Sequence, residues 1–317
     1  MQQSKEHLDA DVQPSNKAVV LGMSYTVGAR VPLAALPDIE QAAPEAIASL
    51  QARGLHYFRD EARSMHEVLL AVASSSLESA GCVVSDIDGI LMVNSPLNEE
   101  LLVKTLSLTG FERTWLLGLS FQDCGGCEAA MRVAGDLVRG AGRMRRLLVV
   151  LYGKVPKGES RIGWGGETVF SDGAAACVVS CQGNGLEIVS SEVRTNPKLP
   201  WIREVGSQAR YFEESLASMA AVSSQALRLA GIAVSAISRV FATNGSSVYH
   251  GIIASAIGVP PERIHTQDMA DLGHVFSCDG LIGLQNYISA RGAQSGEYFM
   301  LVSWSPFVFG ATVLRQT

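Results

Sequence analysis

Two periodicities alternate along the chain. AVVLGMSY (18–25), IDGILMVNS (87–95), TWLLGLSFQD (114–123) and RRLLVVLYG (145–153) are short apolar runs with the length and branched content of buried strands. Between them SMHEVLLAVASSSLESAG (64–81) carries apolar residues at helical spacing and stops on Gly81. The spacing predicts further helices over 98–110 and along the segment after Asp123. FSDGAAACVVSC (170–181) and LEIVSSEVR (186–194) read as strands flanking a turn. The remainder predicts a helix over 213–231, a strand over 239–243, helices over 248–258 and 277–292, and closing strands in YFMLVSW and FVFGATVLR. The pattern is α/β throughout.

The pattern also repeats. AVASSSLESAGCVVSDIDGILMVN (71–94) aligns without a gap on AVSSQALRLAGIAVSAISRVFATN (221–244), with ten of 24 positions identical. At the same offset of 150, Cys124 falls on His274. A duplicated fold with its halves back to back would bring two strand–loop–helix junctions together, one carrying a cysteine and the other a histidine. We therefore divide the chain into a flexible leader (1–16), an N-terminal half (17–183) and a C-terminal half (184–317).

Composition narrows the function. The chain has 317 residues, 47% of them hydrophobic, and a net charge of −6. That balance argues against nucleic acid as the main partner. No apolar run reaches the roughly 18 residues of a membrane span. The polar start MQQSKEHLDADVQPSNK has no signal-peptide core. Six cysteines without an export signal imply free thiols and a cytoplasmic setting.

Cys124 and Cys127, in QDCGGCEAAMRVAGDLVRG, admit four readings. A CGGC redox pair lacks the flanking aromatic and proline usual for that motif. A zinc clip lacks a second pair, because Cys177 and Cys181 lie in an apolar strand, and we expect no metal. Core packing suits Cys127, which shares a stripe with Ala130, Met131, Ala134 and Val138. Cys124 instead ends a buried strand and precedes two glycines that open a helix. There the helix N-terminus favours a thiolate, and the glycines let a substrate carbonyl approach backbone N–H groups.

This segment resembles the active-site segment of the type III ketoacyl-carrier-protein synthases, and FSDGAAACVV (170–179) is similar to their Phe-x-Asp-Gly-Ala turn. AIGVPPERI (256–264) and FVFGATVLR also align, so the resemblance covers residues 17–317. It implies the thiolase fold, α/β with duplicated halves packed as five αβαβα layers. It further implies a homodimer (or a heterodimer with a paralogue), and an acyl-CoA or acyl carrier protein as partner. CoA or phosphopantetheine thioester would be the substrate, with no tightly bound cofactor.

The departures matter as much. Where those synthases carry His-Gln-Ala-Asn and Gly-Asn-Thr-Ser, this chain has ATNGSS, with Asn244, and LGHVFS, with His274. Asn and His are exchanged, as in the thiolases, but the second thiolase cysteine is missing and SWSPFVFG offers Ser303 and Ser305 instead. The resemblance implies an acyl-Cys124 intermediate, His274 as acid/base, Asn244 as polar partner, and an oxyanion hole from the N–H of Cys124 and a backbone N–H near Ser305. Asp172 reads as a loop brace and His250 as structural. Arg143, Arg145 and Arg146 read as a solvated face or a carrier-docking patch. The altered partners favour an acyltransferase or condensing enzyme of specialised metabolism, forming C–C, ester or amide bonds. The competing reading is a non-catalytic partner subunit of a heterodimeric ketosynthase.

Overall fold

A computed structural model of the chain describes residues 17–36, 44–93, 110–111, 114–140 and 144–317. The expected leader, residues 98–109 of an expected helix, Asn94 and Arg143 lie outside the described residues. The first half contains β1 (Val19–Val27), β2 (Ala29–Pro32), α1 (Pro44–Ala52), β3 (Tyr57–Asp60), α2 (Met65–Ala80), β4 (Gly89–Val93) and β5 (Trp115–Leu119). It continues with α3 (Gly126–Arg139), β6 (Arg146–Gly153), the short β7 (Ile162–Gly163) and β8 (Thr168–Val169), and β9 (Gly173–Ser180). The second half contains β10 (Leu186–Thr195), α4 (Leu199–Glu204), α5 (Gln208–Ala230), β11 (Ile237–Ala242), α6 (Ser247–Ile257), α7 (Met269–Leu272) and α8 (Asp279–Arg291), then β12 (Tyr298–Trp304) and β13 (Val308–Gln316).

The repeat seen in the sequence is a repeat of topology. The first half orders its main strands β5-β4-β6-β9-β1. The second orders them β11-β12-β13-β10, and a single parallel bridge from Val240 to Ile264 stands where the strand equivalent to β5 would be. In both halves the outer strands pair in parallel and the last two pairings are antiparallel. The half-sheets join edge to edge where Val19 and Val20 of β1 pair with Glu187 and Leu186 of β10. Local chemistry repeats too. Helices α2 and α5 both end on a left-handed glycine, Gly81 (φ 63°) and Gly231 (φ 67°), as only a residue without Cβ does at little strain. A one-turn 3₁₀ segment follows each, Val84–Asp86 and Val234–Ala236.

Helices α3 and α8 form the middle of the molecule. Helix α3 packs against β4, β6 and β9 of its own half and against β10, β12 and β13 of the other. Helix α8 packs against β1 and β9, and against β11 and β12. Helix α2 covers the outer face of the first half-sheet and α5 that of the second, which gives the five layers expected. β9 is buried at every position because it is covered on both sides. Burying each large apolar side chain contributes about 1.5–3 kcal/mol.

Three boundaries differ by three residues or more from the sequence reading: the strand expected over 114–123 ends at Leu119, and its residues are exposed or half-buried rather than buried. Helix α5 starts at Gln208 rather than 213, because Tyr211 fastens its first turns by donating to Pro306 O at 2.8 Å. β9 starts at Gly173 rather than 170, because Asp172 is drawn aside to accept from Glu61 N, Val155 N and both terminal nitrogens of Arg161. No helix among the described residues is long and apolar enough to cross a membrane.

Candidate active site

The chain leaves β5 through a strained turn. Phe121 has φ 62° and Asp123 φ 44°, left-handed values that cost a residue with a Cβ about 1–3 kcal/mol. Cys124 follows on a 3₁₀ turn, Asp123–Gly125, that runs into α3. The glycines after it serve packing rather than substrate approach. A Cβ on Gly125 would lie 2.7 Å from Val308 Cγ1, and one on Gly126 would lie 2.4 Å from Val93 Cγ1. Their absence lets β13 and β4 close on the nucleophile turn.

The second junction carries the matching strain. Gly273 has φ 61°, and a Cβ there would lie 2.6 Å from Val169 O. His274 is stitched to the strand beside it: its N–H donates to Val169 O and its carbonyl accepts from Ser171 N, both at 2.8 Å. Phe276 has φ 53° and lies over Gly153, which has no side chain to block it. The four described residues other than glycine with positive φ are Phe121, Asp123, Trp164 and Phe276. Two lie just before Cys124 in sequence, and the rings of the other two lie 4.9 Å and 5.7 Å from the His274 ring.

The two junctions meet at their functional atoms. Cys124 Sγ is 3.2 Å from His274 Nε2, and the residues are 4% and 0% exposed. His274 Nδ1 lies 2.5 Å from Asp279 Oδ2, in the first turn of α8. Asp279 also accepts from Val275 N at 2.7 Å and Asn244 N at 2.6 Å. A carboxylate held by these donors fixes the imidazole proton on Nδ1 and leaves Nε2 free to accept from the thiol. The constellation is Cys–His–Asp.

Electrostatics bear on the Cys124 thiol. Burial pushes the Cys124 thiol well above its ordinary range, and the nearby carboxylates of Asp123 and Asp279 push the same way. Forming a thiolate here needs a proton acceptor in contact with the sulfur, and His274 Nε2 is placed to be that acceptor. Cys127 points elsewhere, into the central core near Cys177 and Cys278. All six cysteines are free thiols, and among the described residues no cluster of His, Cys, Asp and Glu is arranged to hold a metal.

The other singled-out residues take supporting positions. Asn244 Nδ2 donates to Gly273 O at 2.9 Å, bracing the backbone just before His274. Ser305 N–H donates to Val308 O at 3.0 Å, so this amide is already engaged. The N–H of Cys124 lies in a first turn, where N–H groups have no intrahelical acceptor. His250 is buried, bonded to Thr243 O, and held neutral by burial, its pKa lowered to about 4. Arg146 pairs with Asp86, and the amides of Arg145 and Arg146 both donate to Asp88. Asp279 was not singled out from sequence; its only signals were its place five residues after His274 and a charge at the start of an apolar helix.

A cavity of about 470 Å³ opens beside this pair. Trp164, Tyr211, Phe212, Tyr249 and Trp304 line it, and Arg203 stands among its lining residues. Trp201 is exposed on α4, the helix that also carries Arg203.

No described protein family and no curated protein matches the sequence. Solved structures do match its fold. The acyltransferase ChlB3 superimposes with a TM-score of 0.79 at 16% identity, over 95% of this chain and 98% of that one. The 3-oxoacyl-(acyl carrier protein) synthase III of Pseudomonas aeruginosa gives 0.76 at 17%, over 95% and 98%. The priming β-ketosynthase of the R1128 polyketide pathway gives 0.77 at 18%, over 96% and 98%. The chain therefore has the thiolase fold, in the form shared by the type III ketoacyl synthases and ChlB3.

Proposed function

We propose that this protein is an acyltransferase that takes an acyl group from a CoA or phosphopantetheine thioester onto Cys124 and passes it to a hydroxyl or an amine. The observation that carries the reading is the continuous relay from Cys124 Sγ through His274 to Asp279. The Cys124 proton moves to His274 Nε2 as Sγ attacks the thioester carbonyl. The C–S bond to the donor breaks, and the departing thiolate takes that proton from His274. The acceptor then gives its proton to His274 and attacks the acyl-Cys124 carbonyl; Sγ leaves and is reprotonated. Asp279 holds the imidazole in its tautomer by accepting from His274 Nδ1. The Cys124 N–H is the nearest candidate donor to the oxyanion. The thioester arrives as substrate, and these steps need no resident cofactor.

Transfer is favoured over carbon–carbon bond formation by the direction of Asn244. Decarboxylative condensation needs a second donor beside the histidine to stabilise an enolate. Here the Asn244 amide donates to Gly273 O and the Ser305 amide to Val308 O. A homodimer is supported by β5, an apolar strand that pairs with β4 and with no other described strand. Trp115 on it is 41% exposed, and Phe121 just beyond is 91% exposed. The exchange of Asn and His relative to the type III synthases favours a place in specialised metabolism.

The test is a chase. Protein acylated at Cys124 is mixed with alcohols, amines or a malonyl thioester, and products are read by mass spectrometry. Release as ester or amide is expected. A β-ketoacyl product with loss of CO₂ would assign condensation instead.

A further inference from the structure

Cys124 and His274 are buried, and neither lines the 470 Å³ cavity beside them. Trp164 touches both the cavity and the histidine. It lines the cavity, and its ring lies 4.9 Å from the His274 ring. It stacks on Tyr249 at 5.1 Å and 28°, and meets Phe170 edge-on at 6.2 Å.

The backbone under this indole is built to change shape. Trp164 has φ 52°, and Gly165 and Gly166 follow at φ 66° and 89°. A tryptophan in the left-handed region is held there at a steric cost. A Cβ on Gly165 or Gly166 would meet no atom within 4 Å, so the segment has room around it. Its ends are tied. Phe170 N donates to Arg161 O at 2.7 Å. Glu167 binds Arg53 and Ser246 through its carboxylate, and Ser246 N donates to Glu167 O at 2.7 Å. The turn is also closed on itself, by Gly166 N donating to Gly163 O at 3.0 Å and Arg53 reaching Gly166 O at 3.4 Å, so an outward swing of residues 164–166 has to release these bonds.

The geometry points to Trp164 as the gate and specificity-determining residue of the site: in the resting protein its indole closes the cavity from Cys124, and a thioester reaches the thiol when residues 164–166 swing outward. The identity of the incoming group rests on the acyl-transfer reading; the gate itself does not. The indole also limits which acyl groups fit once loaded, since any group on Cys124 must share the space around His274 with it.

The experiment reads access to Cys124 without an acyl donor. Full-length protein is treated with iodoacetamide or the bulkier N-phenylmaleimide, and modification is followed by peptide mass. Cys82, partly exposed at the end of α2, serves as internal standard. Trp164→Ala is expected to speed modification of Cys124 by N-phenylmaleimide about tenfold relative to Cys82, and by iodoacetamide less. Trp164→Phe is expected to fall between Trp164→Ala and wild type. Gly165→Ala keeps the indole but penalises the left-handed backbone of the closed strap, and is expected to speed modification about fivefold. Cys124 rates equal to wild type in both Trp164→Ala and Gly165→Ala would overturn the gate, whether or not acyl groups load. Faster modification in these variants, with no thioester loading Cys124 in any of them, would uphold the gate and remove the acyl-transfer reading.

Discussion

Cys124 Sγ and His274 Nε2 lie 3.2 Å apart, at equivalent positions of the two repeats. Each has a residue of positive φ immediately before it, Asp123 in one half and Gly273 in the other; Cys124 follows the strand β5, whereas His274 follows the short helix α7 and not a strand. The 3₁₀ turns that lead into α3 and α8, Asp123–Gly125 and Phe276–Cys278, pack against each other and bring the junctions together. The pairing is thus a product of the duplicated architecture, and its chemistry is set by what each copy placed there.

The relay behind His274 gives the first prediction. Asp279→Asn supplies an amide that cannot hold the imidazole in the Nδ1–H tautomer by charge. Acyl transfer should fall about 10³- to 10⁴-fold, as it does when the aspartate of a serine-protease triad is replaced. Pre-steady-state loading of Cys124 measures it. A loss below tenfold would mean that Asp279 only braces the Val275 and Asn244 amides.

Asn244 separates positioning from chemistry. Asn244→Ala removes the bond to Gly273 O and should lower stability by about 1 kcal/mol, with a rate loss of about tenfold or less. Urea unfolding and loading rates on the same samples check both. A loss of several hundredfold at unchanged stability would make Asn244 a participant in the reaction.

Gly153 is a packing requirement of the site. Its Cβ would lie 2.3 Å from Phe276 Cδ2, and Phe276 packs against His274. Gly153→Ala should therefore destabilise the protein by about 1–3 kcal/mol through overpacking and reduce loading of Cys124. Thermal unfolding and the loading rate would be measured together.

Glu128, one turn beyond Cys124, gives the protein a pH signature. Burial raises its carboxyl pKa from 4.5 to about 7, and Asp279 adds to the rise. The folded chain keeps this proton while the unfolded chain releases it near 4.5. The contribution is full below pH 4.5 and is lost as pH rises to about 7, a difference on the order of 3 kcal/mol. Glu128→Gln should be more stable than wild type at pH 8 and lose that advantage as pH falls toward 5. His250 acts in the opposite sense: its pKa is lowered from 6.5 to about 4, so stability falls as pH drops through that window. Urea denaturation across pH 4–8 resolves the two. An unchanged Glu128→Gln difference across that range would show that the carboxyl is ionised in the folded state.

Much of this was legible in the sequence. The offset of 150 is preserved in the glycine caps and the 3₁₀ turns, which short-range residue pattern sets, and in the Cys124–His274 contact, which the duplicated architecture sets. The elements between residues 29 and 60 were not read, since β2, α1 and β3 are short and owe their form to tertiary pairing. Asp279 was missed for a related reason. An acidic residue in a first helical turn is ordinary helix grammar, and only the fold of Gly273–Phe276 turns it toward His274. The CGGC glycines were assigned to substrate approach, whereas neighbouring strands occupy the space they leave.

The acyl-enzyme is the centre of the account, and intact-protein mass tests it most directly. Wild type, Cys124→Ala and His274→Ala would each be mixed with a panel of acyl-CoA and carrier-bound thioesters. The account predicts a mass gain of one acyl group on wild type, none on Cys124→Ala, and slow gain on His274→Ala. A folded, reduced wild type that gains no mass from any donor would contradict it and favour a non-catalytic partner subunit.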